Sequence, residues 1–283
     1  DTYGEPDETE EYVTPESVSS FVRSLGLPFK IRGYQLRGLY SAIKHNRRLL
    51  LSPTGSGKSL IIYSLIRWHL QYDRQVLIIV PTTSLVEQLF KDFEQYGWNA
   101  RHYVNKVYAG KERYRESPVV ISTWQSIYKE SRSFFNRFDV VIGDEAHLYK
   151  AKSLTKLLTK MHGCKYRIGL TGTLDGMQCH QLQLEGLFGP VEKVIRTEEL
   201  QKKGYLSELK INVLVCKHEY IPFENYQEEI EYIITHPKRN KIITSLAKDI
   251  SGNTLILFNY IERHGDVLRD MLNSTKGNKK LFY

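Results

Sequence analysis

Residues 48–59 read RLLLSPTGSGKS. The first half is an apolar run without alternation, the pattern of a strand buried on both faces. The second half is a glycine-rich loop that ends on a lysine and a hydroxyl residue. Residues 59–71 then read as a helix. Strand, glycine loop and helix together form the geometry in which backbone N–H groups curl inward and the helix N-terminus adds positive potential, a cradle for phosphate. Thr54, Gly55, Ser56 and Gly57 would line that cradle. Lys58 can reach β- and γ-phosphates, and the Ser59 hydroxyl can ligate Mg²⁺. The general pattern G-x-x-x-x-G-K-[ST] is broken at its first position, which is Ser52. A glycine-serine turn with an incidental lysine is the competing reading of a bare G-K-S, and the strand–loop–helix setting argues against it.

Working outward, four more runs share the unalternating pattern: VLIIV at 76–80, VVIST at 119–123, VVIG at 140–143 and RIGL at 167–170. Helical segments, such as 84–96, lie between several of them. Strands alternating with helices predict an α/β fold, a doubly wound parallel sheet with flanking helices, whose ligands sit at the C-terminal strand ends. The informative residues fall there. VVIG leads into Asp144-Glu145-Ala146-His147. Asp144 is placed to hold Mg²⁺ beside a phosphate loop, and Glu145 to orient and deprotonate an attacking water. His147 lies too far along to touch the same metal; it could sense the γ-phosphate, link to another motif, or be a plain structural histidine.

Three more strand ends carry small hydroxyls: Thr82-Thr83-Ser84, Thr123-Trp124-Gln125-Ser126 and Thr171-Gly172-Thr173. Such groups suit sugar–phosphate contacts without base readout, and they equally suit helix capping. Residues 101–115, RHYVNKVYAGKERYR, interleave basic and aromatic side chains. That mixture can track a nucleic-acid backbone or be a solvated loop.

Upstream, residues 1–13 are acidic and read as loose. Thr14-Pro15 is a helix start, with Thr as N-cap and Pro at the first helical position. Val18, Phe21, Val22 and Leu25 follow at helical spacing, and a second helix is expected over 34–45. From about Val194 the pattern changes. Helices are expected over 197–204, 226–234 and 241–250, strands over 209–216 (LKINVLVC) and 254–259 (TLILFN), and a helix start at 261–266. The expected organisation is a tail and helix at 1–28, an α/β lobe at 29–195, a linker region at 196–250 and the opening of a second lobe at 251–283.

Charge narrows the partners. Of 283 residues, 40 are Lys or Arg and 32 are Asp or Glu, for a net +8. Seven of the acids lie in residues 1–20, which hold no Lys or Arg, so the body is more basic still. A body of that charge suggests a polyanionic partner, nucleic acid or an acidic surface. No run approaches the ~18 apolar residues of a membrane span. The acidic N-terminus is unlike a signal peptide. Three cysteines without a C-x-x-C pair fit a reducing, cytoplasmic compartment. The chain begins without Met and ends at Phe282-Tyr283, and is expected to be a piece of a longer protein.

The order PTGSGKS, PTTSL, TWQS, DEAH, TGT resembles the first motor lobe of superfamily 2 helicases, which implies a RecA-like motor lobe over 29–195 and the start of a second RecA-like lobe over 251–283. The segment Phe29-Lys30-Ile31-Arg32-Gly33-Tyr34-Gln35 resembles the adenine-recognition segment of that superfamily. By that resemblance Gln35 would read the adenine edge, with Phe29 and Arg32 nearby. Within the superfamily the chain is most similar to bacteriophage UvsW-type DNA helicases, through EGLFG at 185–189, LSELKIN at 206–212, YQEEI at 226–230 and KRNK at 238–241. The resemblance covers residues 21–264, although restriction-enzyme translocases and repair helicases share the same core. It implies an ATP- and Mg²⁺-using, DNA-dependent ATPase that acts on branched DNA: fork reversal, branch migration and R-loop unwinding, in recombination, repair and origin control during phage growth, in the host cytoplasm. Thr171 and Thr173 would couple ATP state to the DNA track, and Thr82, Thr123 and Gln125 would touch the DNA backbone. The family's second lobe supplies arginines to the γ-phosphate. With only the start of that lobe present, this stretch is expected to bind nucleotide weakly and hydrolyse it poorly. An RNA helicase, a restriction-complex motor subunit and a non-hydrolysing nucleotide-gated module stay open as alternatives.

Overall fold

The computed structural model of the chain describes residues 13–108, 116–150, 152–174, 176–217 and 221–274. The acidic tail and residues 109–115 of the basic–aromatic run lie outside them. The chain divides into two compact units, 1–208 and 209–283.

The first unit is built on seven strands, all paired in parallel: β1 Arg47–Leu51, β2 Val76–Val80, β3 Val104–Val107, β4 Val119–Thr123, β5 Val140–Gly143, β6 Tyr166–Thr171 and β7 Val191–Lys193. Their order across the sheet is β3-β4-β2-β5-β6-β1-β7. The five apolar runs are thus the five inner strands. Along β2, Ile78 and Val80 enter one core while Leu77 and Ile79 enter the other. Both faces are covered, which is why these runs do not alternate. Each such Leu or Ile contributes ~1.5–3 kcal/mol by leaving water.

Among its described residues this unit has ten α-helices, α1 Pro15–Ser24, α2 Gly33–His45, α3 Lys58–Leu70, α4 Thr83–Gln95, α5 Ala100–Tyr103, α6 Trp124–Ile127, α7 Arg132–Phe135, α8 Lys152–Thr159, α9 Gln178–Phe188 and α10 Thr197–Lys202, and a 3-10 helix at Ala146–Lys150. α1 starts as its sequence predicts. Thr14 Oγ1 accepts from the Ser17 N–H, Ser17 reciprocates, and Pro15 opens the first turn. Its Phe21 meets Trp68 of α3 edge-on at 5.1 Å. α2, α3 and α4 pack on one sheet face; α8 and α9 cover the other. Gly143 and Gly169 are required by this second layer: a Cβ on either would come within 2.9 Å of the Phe188 ring.

Three readings of the sequence change. Residues 104–107, inside the basic–aromatic run, form the edge strand β3. The charges around it are paired, Lys106 with Glu87 at 2.7 Å and Arg101 with Glu94 at 3.0 Å. α10, the helix expected at 197–204, buries Leu200 in the first unit's core.

The strands expected at 209–216 and 254–259 do not form. Neither run pairs with a strand among the described residues, and Leu209, Val213, Leu255 and Leu257 stand exposed. A strand exists through its ladder partners, and the second unit offers helices instead: α11 Tyr226–Thr235, α12 Pro237–Asp249 and α13 Asp266–Asn273. α12 begins four residues before the expected start, with His236 as N-cap and Pro237 in the first turn. Ile234, Ala247 and Leu268 are buried in this unit, and Asn240 is tied to the Ile234 carbonyl at 2.8 Å and to His264 Nε2 at 3.2 Å.

Candidate active site

The parallel register brings β1, β5 and β6 to one rim. Leu51 pairs with Thr171, and Ile142 with Ile168, so the loops after these three strands meet. The loop after β1 curls through Gly55 (φ 77°) and Gly57 (φ 82°), a left-handed backbone that suits glycine. Ser52, the departure from the usual first glycine, is buried and bonded to the Ser56 hydroxyl at 2.7 Å. Its N–H reaches the Thr171 carbonyl at 2.8 Å. A hydroxyl there pins the loop to itself and to β6. Lys58 opens α3, whose first-turn N–H groups have no intrahelical acceptors. Thr54 and Gly55 are exposed at the loop's crest.

Asp144 and Glu145 follow β5. Asp144 is buried and accepts the Glu145 N–H at 3.0 Å. Burial pushes its carboxyl above the usual range, opposed by that hydrogen bond and by Lys58. Glu145 adopts φ 48°, unusual for a residue with a side chain. One of its oxygens lies 3.2 Å from Lys58 Nζ and the other 3.3 Å from His147 Nδ1. His147 Nδ1 also lies 2.9 Å from Thr171 Oγ1, which in turn donates to the Thr173 carbonyl at 2.9 Å. Because Thr171 donates its proton there, the ring N–H is the donor to Thr171. Lys58, Glu145, His147, Thr171 and Thr173 form one chain of contacts.

The 29–35 segment lies against the other side of the loop. Gln35 is buried; its Oε1 accepts from the Arg32 N–H at 2.9 Å, and its Nε2 donates to the Ser56 carbonyl at 2.9 Å. Tyr34 donates to the same carbonyl at 2.8 Å. Arg32 donates to the Tyr34 hydroxyl at 3.0 Å and stacks over the Tyr205 ring at 3.8 Å. Phe29 is exposed and meets Tyr96 edge-on at 5.4 Å. The Tyr96 hydroxyl lies 2.8 Å from Ser59 Oγ. Tyr34, Tyr96 and Tyr205 are contacts the sequence reading did not single out, since tyrosines are numerous and only topology brings these three to the loop.

The remaining residues sit apart from this cluster. Thr82 is exposed and caps α4, accepting from the Leu85 N–H at 3.3 Å. Thr123 is buried, with its hydroxyl 2.9 Å from Ser126. Gln125 is exposed on α6. They lie at the ends of β2 and β4.

The donors suit Mg²⁺ bound together with phosphate. A buried carboxylate, raised by its loss of water, and a serine hydroxyl are hard oxygen ligands, and Mg²⁺ takes one or two carboxylates plus phosphate oxygens. Asp144 and Ser59 would hold it. Among the described residues no cluster of three or more His, Cys, Asp or Glu could hold a metal by itself.

A phosphate loop, a carboxylate pair and a hydroxyl strand end on one rim of a parallel sheet define the nucleotide-binding lobe of a superfamily 2 helicase. The family described as type III restriction enzyme, res subunit, matches residues 28–176. The chain belongs to that family. It is 33% identical over 254 residues to the ATP-dependent DNA helicase uvsW of Enterobacteria phage T4, covering 85% of this chain and 50% of the relative. It is 26% identical over 185 residues to the DNA 3'-5' translocase XPB2 of Sulfurisphaera tokodaii, covering 65% and 40%. The crystal structure of the UvsW helicase from bacteriophage T4 matches with a TM-score of 0.60 at 30% identity, over 65% of this chain and 68% of that one. A second structure of T4 UvsW matches with a TM-score of 0.60 at 26% identity, over 94% and 56%. The chain spans half or less of the length of the two curated relatives.

Proposed function

We infer that the chain is the ATP-binding part of an ATP-dependent DNA helicase or translocase that remodels branched DNA. The observation that carries this reading is the convergence of Lys58, Asp144 and Glu145, from two separate strand ends, on one rim of the sheet. Likeness to the phage helicase supports the choice of DNA, and the basic body supports a polyanionic partner. Thr82 and Gln125 are the accessible candidates for backbone contact. Thr123 could take part only after its hydroxyl leaves Ser126. R-loop RNA and fork reversal follow the phage relative. No described helix is long and apolar enough to cross a membrane, and three free cysteines agree with a cytoplasmic setting.

The site also carries its own restraint. Lys58 donates to one oxygen of Glu145, and His147 stands 3.3 Å from the other. A γ-phosphate that draws Lys58 away would free one oxygen to take a proton from water. Asp144 and Ser59 would hold Mg²⁺, which when bound neutralises charge on the phosphate oxygens. His147 would pass the change to Thr171 and Thr173.

The test is ATP hydrolysis by the full-length protein, alone and with single-stranded DNA, forked DNA or RNA. Stimulation by forked DNA is expected. Glu145→Gln should lower the rate about 10²–10⁴-fold, the usual worth of a general base. Stimulation by RNA alone would move the protein to RNA remodelling.

A further inference from the structure

The segment that leaves α10 closes over the phosphate loop. Gly204 turns it at φ 68°, and the Tyr205 and Leu206 N–H groups both reach the Leu200 carbonyl, at 2.9 and 3.3 Å. Leu206 then packs on Gly55, where a Cβ would come within 2.5 Å of its Cδ2. The Arg32 guanidinium sits over the Tyr205 ring, with Cζ 3.8 Å from the ring centroid. Beside this pair is a cavity of about 600 Å³, lined by Lys30, Arg32, Arg37, Lys203, Tyr34 and Tyr205 among others, with no carboxylate among the described lining residues.

We propose that Tyr205 is a positioning residue of the nucleotide site: it holds the Arg32 guanidinium flat so that the nucleobase of a nucleoside triphosphate stacks on it, in the cavity beside the loop. The proposal rests on the nucleotide-binding reading of the loop. A guanidinium plane has two faces, and nucleobases stack on such planes. Tyr205 covers one face and leaves the other for the base. The four cations suit a ligand that brings a polyphosphate with its base. Arg32 is tied in turn to Tyr34, and Tyr34 to the Ser56 carbonyl, so the stack and the loop are braced together. The clamp stands four residues before the second unit begins.

The test separates base from phosphate. The 283-residue chain is titrated with MgATP and, separately, with inorganic tripolyphosphate. Tyr205→Ala should weaken MgATP roughly three- to thirty-fold, the worth of a cation–aromatic contact, and leave tripolyphosphate binding unchanged. Tyr205→Phe should bind both as the parent does, since the ring alone makes the stack. Arg32→Ala should lose as much MgATP affinity as Tyr205→Ala, and the double substitution little more. Equal loss of both ligands on Tyr205→Ala, no loss at all, or full additivity with Arg32→Ala would overturn the proposal. Lys58→Ala serves as the separate check on the loop: it should remove both ligands, and retention of both would overturn the phosphate-loop reading itself.

Discussion

Two apolar segments of nearly the same composition meet opposite fates in this chain. VLIIV at 76–80 is at most 1% exposed, whereas Val213, Leu214 and Val215 are 80, 61 and 78% exposed. Nothing in either run accounts for the difference. Around β2 the chain supplies a strand on each side and a helical layer on each face. Around 213–215 the described residues supply no strand at all. Apolar content gives a run the capacity to become a buried strand, and neighbours decide whether it does.

Paired truncations put the largest numbers on that contrast. Ile78→Ala, in the middle of the sheet, should cost about 2–5 kcal/mol. Leu257→Ala, in the unpaired run, should stay within ~0.5 kcal/mol. Urea unfolding followed by tryptophan fluorescence would read the first, since Trp68, Trp98 and Trp124 all lie in the first unit. Hydrogen exchange of α11 and α12 would read the second. A large loss from Leu257→Ala would mean that the 254–259 run is packed after all.

A smaller effect should appear at the rim of the well-packed unit, with the opposite sign. Asp144 is a buried carboxyl that folding holds above its ordinary range. Folding therefore favours its protonated form, and stability is lost as pH rises from the unfolded value through the folded one. Asp144→Asn keeps the acceptor for the Glu145 N–H and removes the charge. It should raise stability by about 0.5–2 kcal/mol at neutral pH, while abolishing Mg²⁺-dependent turnover in the full-length protein. A destabilised Asn variant would show that the ionised carboxylate is held by contacts other than those seen.

The smallest effect belongs to the second unit. Burial, and then Arg239, push His264 below its ordinary 6.5. The unfolded chain thus takes up a proton more readily. The stability from neutral His264 is whole above about pH 6.5 and is lost as pH falls from there toward the folded value. Lower protection of the α12 amides below about pH 6.5, after correction for the intrinsic pH dependence of exchange and absent in His264→Gln, is the expected result. A flat profile would place the pH sensitivity elsewhere.

How much of this was legible depended on whether the cause was local. The five inner strands were readable because burial on both faces leaves an unbroken apolar run. The phosphate loop was readable because glycines, lysine and serine are needed in that order. Edge strands were not. β3 (VNKV) has two polar residues between its valines and sits among charges, and β7 has only three residues. Runs 209–216 and 254–259 misled for the reason above. At the candidate site, Lys58, Asp144 and Glu145 are singled out by type and position, and the fold brings Lys58 to within 3.2 Å of Glu145. Tyr96 and Tyr205 are not singled out, because their roles come from where distant segments land, 37 residues beyond Ser59 in one case.

Glu145 carries one last implication. A residue with a side chain at φ 48° bears a penalty of roughly 1–2 kcal/mol that glycine escapes. The most stable spelling of this loop is therefore one that has lost its carboxylate. Backbone strain alone would favour that exchange, and the Lys58 contact together with the proposed role as base opposes it. A glycine at this position in some descendant would mark a lineage that kept the architecture and gave up hydrolysis.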